Sequence, residues 1–188
     1  MKKVLSIIFF LFGISTLWAQ QEIILTKYTY NSLFFNPAYA GRNGYNAGTL
    51  TVQYRNQWIN LEGAPKTLMA SGEASLFQNR LGVGFNFASE KIGVDSRNDF
   101  NGNVAYRIPI NEDNFIAGGI RAGYSAYNAD FSLLNIKDAG DIYDQNSLNY
   151  GLLSLGAGAY YHRDGLYAGF SVPALAVVAF TKNWKPPN

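Results

Sequence analysis

From residue 47 onward, apolar and polar side chains alternate along the chain with a period of two. In AGTLTVQYRNQW (47–58), the apolar side chains of Leu50, Val52 and Tyr54 alternate with polar ones. A period of two places successive side chains on opposite faces, so this pattern predicts a β-strand with one apolar face. Seven segments follow it: 47–58, 66–77, 80–91, 99–110, 115–126, 150–162 and a last one that begins at Gly165.

The composition of the polar face separates two classes of β protein. The outer face of a soluble sandwich is usually rich in Lys, Glu and Asp, whereas here the polar face is mostly Gly, Ser, Thr and Asn with isolated charges. Small neutral side chains suit the crowded interior of a barrel, and segments of about 8–12 residues match the roughly 9–11 that a tilted strand needs to cross a bilayer. The pattern therefore predicts an all-β fold, a transmembrane antiparallel up-and-down β-barrel whose apolar face contacts lipid.

The links between these segments are expected to alternate between long and short. They comprise about ten residues (57–66), two (78–79), about eight (92–99), a handful around NEDN (111–114), about twenty (127–147) and four (162–165). Outer-membrane barrels show this asymmetry, because their turns are short on the periplasmic side and their loops are long outside. The first link is therefore expected to lie outside the cell.

The N-terminus has the pattern of a secretory signal peptide, residues 1–19. Lys2 and Lys3 precede an apolar run over 4–17 that is too short for a spanning helix. Removing these two lysines leaves 13 of the 15 basic residues, equal to the 13 acidic ones, so the exported chain is neutral and no nucleic-acid partner is expected. The chain contains no cysteine, which excludes disulfides and thiolate metal sites within it.

Candidate catalytic and metal-binding residues are few, and the chain is expected to be neither an enzyme nor a cofactor-binding protein. The only histidine, His162, lies beside Asp164 in a short turn, and the sequence has no G-x-S-x-G motif. The longest link contains Asp138, Asp141 and Asp144. These carboxylates either bind calcium or form a solvated acidic loop, since their spacing lacks the order of a calcium-binding loop.

Charged side chains on the predicted inner face allow two interpretations. A charge facing lipid costs roughly 2–4 kcal/mol at the bilayer midplane, so these groups must point inward. They either fill the lumen with salt bridges or contact a transported or anchored chain. The charges are Arg55, Glu73, Glu90, Arg107 and Arg121. On the other face, Tyr54 and Trp58 near the outer end and Tyr106 near the inner end are candidates for an aromatic girdle.

Several separate blocks of the sequence match the pattern of a known family. The blocks are FNPAYAG (35–41), LTVQYRNQW (50–58), GAPKT (63–67), LGVGF (81–85), VAYRIPI (104–110) and, more loosely, YAGFSVP (167–173). With them the sequence resembles the PorP/SprF family, the outer-membrane proteins associated with the type IX secretion system of Bacteroidetes. The similarity extends over about residues 21–175. It marks a set of motif residues with an expected binding or structural role: Phe35, Asn36, Pro37, Tyr39, Gly41, Tyr54, Arg55, Trp58 and Pro65.

The resemblance implies a non-catalytic outer-membrane barrel that assists type IX secretion, or the surface anchoring of specific exported proteins such as gliding adhesins, by binding. The implied partners are periplasmic components of the secretion system, secreted client proteins and outer-membrane lipid. A passive pore or hydrophobic-solute channel is the alternative. Because proteins of this family continue with further strands, the chain is expected to be an N-terminal fragment, with an incomplete barrel of about seven strands over 46–180 and a tail over 181–188.

The segment 20–45 is expected to be irregular and to lie in the mouth of the lumen or against the periplasmic rim. Pro37 lacks a backbone donor and biases Asn36 away from helix, while Gly41 permits a turn. In a membrane protein, irregular backbone persists only where protein or water covers it. The aromatic side chains of Phe34, Phe35 and Tyr39 are expected to anchor it by burial. A simple turn before the first strand is the alternative.

Overall fold

The computed structural model describes residues 31–42, 48–111, 114–131 and 148–181 of the chain. Within these ranges a short helix α1 (Ser32–Phe35) and a 3-10 turn (Pro37–Tyr39) precede seven strands. None of the helices in these ranges is long and apolar enough to cross a membrane. The strands are β1 (Gly48–Asn56), β2 (Lys66–Leu76), β3 (Leu81–Ile92), β4 (Asp95–Pro109), β5 (Phe115–Ala129), β6 (Leu148–Arg163) and β7 (Leu166–Thr181).

The seven strands form one sheet in the order of the sequence, β1 to β7, and each strand pairs antiparallel with the next. The register is continuous until the last pair, where Leu155 and Ala157 bracket a bulge. Gly156 lies in the bulge and faces Pro173, which has no N–H to contribute to the ladder. An all-β, up-and-down arrangement of seven antiparallel strands is therefore confirmed.

The sheet is open among the described residues, because β1 pairs only with β2 and β7 pairs only with β6. It has two ends, which are named here by their links. The upper end carries the links 57–65, 93–94 and 130–147, and the lower end carries the links 77–80, 110–114 and 164–165.

The exposed face of the sheet is apolar and the buried face is largely small or polar, which is the reverse of the arrangement in a soluble protein. Large apolar side chains are exposed on the outer face: Leu50 is 70% exposed, Ile120 66% and Phe170 73%. Buried side chains lie on the inner face and are mostly small or polar. They include Thr67, Met69, Ser71, Asn86, Asn103 and Ala117. From β1 to β6 the alternation of burial agrees with the faces that the sequence predicts, and an outer face of this kind suits a surrounding of acyl chains.

The link between β3 and β4 is much shorter than the sequence suggests. Only Gly93 and Val94 separate the two strands, although about eight residues were expected there. The polar residues that resembled a loop continue β4 instead, and the guanidinium of Arg97 lies 2.9 Å from the carboxylate of Asp99. β4 has 15 residues, more than the roughly 9–11 that cross a bilayer, so its polar upper end extends beyond that length. The predicted alternation of long and short links is therefore wrong at this position.

Candidate functional site

Residues 31–42, called the inner segment from here on, have a fixed but irregular backbone. α1 ends at Phe35 because Asn36 precedes a proline and is extended, with φ −144° and ψ 117°. Asn36 then caps the next turn, since its side-chain oxygen accepts a hydrogen bond from the Ala38 N–H at 2.9 Å. Gly41 follows with φ +71°, in the left-handed region that glycine enters without strain. The motif FNPAYAG thus specifies a compact turn of its own.

The inner segment packs on the inner face of the sheet, where Leu33 and Ala40 are buried and the 3-10 turn contacts β4, β5 and β6. Glycines make this close approach possible. A Cβ atom at Gly119 would collide with the backbone of Ala38, and one at Gly82 would collide with the carbonyl group of Ala40. Two inward glycines therefore act as the contact points of the segment.

Asn36 joins the inner segment to the last two strands. Its side-chain nitrogen donates to the carbonyl oxygen of Ala159 in β6 at 3.0 Å and to that of Phe170 in β7 at 3.4 Å. A Cβ atom at Gly158 would collide with the same amide. Because Asn36 also caps the 3-10 turn through its oxygen, both polar atoms of its side chain are used, and no other residue type provides this pair of groups with the same length.

Arg121 joins the inner segment to the middle of the sheet. The side chain is 6% exposed, and its Nε donates to Oδ1 of Asn103 at 2.9 Å. One of its terminal nitrogens donates to the backbone carbonyl of Leu33. Asn103 in turn donates to Oδ1 of Asn86 at 2.7 Å, so the network connects β3, β4 and β5 with the segment. A buried guanidinium with several acceptors is far less costly than an unpaired one.

The aromatic side chains of the inner segment are only partly used to anchor it. Tyr39 packs on the buried ring of Tyr160, with 4.4 Å between ring centroids, and the guanidinium carbon of Arg42 lies 5.2 Å from the Tyr39 centroid. Burial raises the pKa of the Tyr39 hydroxyl, an effect that Arg42 opposes and Tyr167 increases. The expected anchoring by Phe35 is wrong, since that side chain is 42% exposed and small buried residues take its place.

Sequence comparison identifies the family to which this arrangement belongs. The sequence model of the family described as "Type IX secretion system membrane protein PorP/SprF" matches residues 17–187. The chain belongs to the PorP/SprF family. The match covers the inner segment and all seven strands, so the resemblance carried by the motifs is confirmed. No curated protein and no solved structure matches the chain.

The other inward charges of this PorP/SprF chain are spread along the inner face. Toward the upper end, a terminal nitrogen of Arg55 donates to Oε1 of Gln57 at 2.8 Å, and Glu90 accepts a hydrogen bond from the hydroxyl of Thr67 at 3.3 Å. Glu73 is half-buried in β2, below the middle of the strand. All three charges therefore lie on the inner face, as the alternation of the sequence requires.

Arg107 lies near the lower end of β4 and is also half-buried. One of its terminal nitrogens donates to the carbonyl oxygen of Asn79 at 3.3 Å, and its guanidinium carbon is 4.8 Å from the ring centroid of Phe115. The five inward charges thus do not converge on one point. Arg121 is the one that holds the inner segment.

The motif residues of the first link lie at the upper end. Tyr54 and Trp58 are exposed, by 63% and 62%, and Tyr106 on the same face near the lower end is 53% exposed. Pro65 is half-buried, and its carbonyl oxygen accepts a hydrogen bond from the Gln57 N–H at 3.0 Å, which closes the link. These rings have the positions that girdle residues of a PorP/SprF barrel would need, and they are distant from the inner segment.

Asn86 and Asn103 are functional residues of the network that sequence reasoning did not single out. Both were assigned to the inner face, but nothing distinguished them from other small polar residues there. The signal that could have found them is their register: Asn86 pairs with Asn101, two residues from Asn103, and Asn103 pairs with Arg121. Polar groups adjacent across three strands indicate a hydrogen-bonded row.

Some predicted features fall outside the described residues. They are the signal peptide 1–19, residues 20–30 and 43–45 of the segment 20–45, the residues Asp138, Asp141 and Asp144, and the tail after Thr181. The signal peptide, the calcium-or-solvated alternative for the acidic link, and the tail remain predictions.

Proposed function

We propose that this PorP/SprF chain resides in the outer membrane and assists type IX secretion or surface anchoring of specific exported proteins by binding them, without catalysis. The family places the chain among type IX secretion membrane proteins. An apolar outer face and a polar inner face fit a barrel wall in lipid, and the leader predicted over 1–19 fits export. The expected partners are periplasmic components of the secretion system and secreted clients.

The observation that carries the proposal is the inner segment held on the inner face. A passive channel depends on an open lumen, whereas here residues 31–42 cover part of the inner face of β3 to β6 and are tied to it by Arg121 and Asn36. A barrel wall covered by a fixed turn offers a shaped protein surface. Such a surface supports recognition of another chain better than diffusion of solutes.

Deletion of the gene tests this function. The proteins on the surface of the deletion strain and of the parent strain are compared, together with the uptake of small hydrophobic and polar solutes. The proposal expects one or a few exported proteins to be missing from the surface and retained in the periplasm, with solute uptake unchanged. An unchanged set of surface proteins with altered solute uptake would instead establish the passive pore.

Complementation assigns the effect to the site. The chain with Asn36→Asp keeps the size of the side chain but loses the donor to Ala159 and Phe170, and it is expected to restore secretion poorly. The chain with Asn149→Asp, an exposed position in β6, is the matched control and is expected to restore it fully. Equal restoration by both variants would show that the inner segment has no part in secretion.

A further inference from the structure

A cavity of about 560 Å³ opens at the lower end of the sheet and is rich in positive charge. Arg42 at the end of the inner segment, Arg80 and Arg107 all line it. His162 lines it as well, and Asp164 is the one carboxylate among its described lining residues. An excess of guanidinium groups around a concave surface favours a ligand with negative charge.

Arg107 has a donor that the described residues leave unused. Its Nε is buried and has no hydrogen-bond partner among them, although a terminal nitrogen of the same guanidinium binds the Asn79 carbonyl oxygen. The contact with the Phe115 ring fixes the plane of the guanidinium. Arg121 is different, because its Nε binds Asn103 and a terminal nitrogen binds Leu33. Of these two arginines, Arg121 holds the fold together, whereas Arg107 lines the cavity and keeps an unused donor at its buried Nε.

Asn114 supplies an unused group of the opposite kind. Its side-chain oxygen is buried without a hydrogen-bond partner among the described residues, and it lines the same cavity as Arg107. A ligand that satisfies both groups needs an acidic oxygen for Arg107 and an N–H donor for Asn114. A carboxylate on a polypeptide has both, since peptide N–H groups lie next to it. Phosphate at neutral pH also combines acidic oxygens with a hydroxyl donor, but Asp164 disfavours its second negative charge, so phosphate serves as the competitor in the test.

We propose that this cavity binds a carboxylate of a partner polypeptide, either its C-terminus or an acidic side chain. The carboxylate accepts from Arg107 and from the exposed side chains of Arg42 and Arg80, while a neighbouring peptide N–H donates to Asn114. Phe115 covers the aliphatic part of the bound residue. The inference rests on the proposed binding function, because it names the chemical group that the partner presents.

The test measures the affinity of the whole chain, purified in detergent micelles, for short labelled Gly/Ser peptides by fluorescence polarisation. One peptide has a free C-terminal carboxylate and no acidic side chain, one has an internal Glu and an amidated C-terminus, and one is amidated and neutral. Inorganic phosphate is added as a competitor. The variants are Arg107→Gln and the exposed Arg42→Gln, with Lys91→Gln as the control that removes one positive charge at the upper end.

The expected result is binding of one or both acidic peptides, and which of them binds identifies the source of the carboxylate. Arg107→Gln should weaken it about tenfold or more, as the loss of a charge-assisted hydrogen bond does, while Lys91→Gln leaves it unchanged. If Arg107→Gln does not fold, as judged by circular dichroism, the loss in Arg42→Gln decides. Equal binding of the neutral peptide, competition by phosphate stronger than by the acidic peptides, or unchanged affinity in the arginine variants would overturn the proposal. None of these outcomes depends on secretion, so the site can fail while the proposed function stands.

Discussion

Single inward residues determine where the inner segment lies. Arg121 binds the backbone of Leu33, a residue 88 positions away in the sequence, and Asn36 binds two strands that follow it by more than a hundred positions. Both contacts use backbone carbonyls as acceptors: Arg121 binds the backbone of the segment, whereas Asn36 of the segment binds the backbone of the strands with its side chain. The glycines Gly82 and Gly119 provide the space for that path.

Substitution of Gly119 by alanine should displace the inner segment. The added Cβ would collide with the backbone around Ala38, whereas at the neighbouring Gly118, on the outer face, a Cβ would meet no atom within 4 Å. Overpacking of this kind costs about 1–3 kcal/mol. Gly119→Ala is therefore expected to lower the free energy of unfolding in detergent by about that amount and to speed tryptic cleavage after Arg42, and Gly118→Ala is expected to do neither. Equal behaviour of the two variants would show that the segment does not rest on β5.

At this scale, sequence predicted which side chains point inward but not what they bind. The inward direction of Gly119 and Arg121 follows from the alternation. The apolar Ile120 lies between them and belongs to the outer face, so both neighbours must belong to the inner face. The acceptor on Leu33 could not be predicted, since an irregular segment has no periodicity from which its position can be derived. For the same reason Phe35 was expected to be buried, although in the structure it is 42% exposed.

Each strand combines an apolar outer side with a side that carries small and polar groups, and β5 shows this from Ile116 to Tyr124. Ala117, Gly119 and Arg121 are buried, while Ile116 and Ile120 between and beside them are exposed. A strand of 15 residues exceeds the thickness of the bilayer core, so the same outer face should be tolerant of charge near the upper end and intolerant at its middle.

A lysine at position 120 should therefore destabilise the protein in lipid. At the bilayer midplane such a charge costs about 2–4 kcal/mol, and near the interface about 0–1 kcal/mol. Ile120→Lys and Asn128→Lys place the charge on the same face of the same strand, eight residues apart. Urea unfolding in phospholipid vesicles should show the large loss only for Ile120→Lys. A similar small loss for both would mean that this face does not contact acyl chains.

The elements were predictable where apolar and polar positions alternate and less so beyond those stretches. Seven strands and their faces follow from alternation, because an apolar outer face and a buried inner face constrain every second position. The upper hairpin of β3 and β4 has no such constraint: residues 95–99 are polar on both faces and resemble a loop. Backbone hydrogen bonds to β3 keep these residues extended. Such bonds do not depend on side-chain hydrophobicity, so the sequence pattern could not predict them.

At the scale of the whole molecule, the sheet has an apolar outer face and an inner face that the inner segment covers in part. Its edges β1 and β7 have no further partner strand among the described residues. Unpaired backbone groups are costly in hydrocarbon, so further strands or another chain are needed to close such a wall in a bilayer. Membership of the PorP/SprF family agrees with a role in the membrane, and the client and its mode of binding belong to the proposals made above.

The most direct test of this account is a cysteine scan of β5 from position 116 to 124 in lipid vesicles, which the chain allows because it contains no cysteine of its own. Each cysteine carries an environment-sensitive fluorophore, and quenching by a lipid-soluble nitroxide is compared with quenching by a water-soluble one. The account predicts strong quenching from the lipid phase at the even positions, which share the face of Ile120, and weak quenching at the odd positions, which share the face of Arg121. The opposite parity, or even positions that are quenched only from water, would contradict the claim that the apolar face of this sheet contacts lipid.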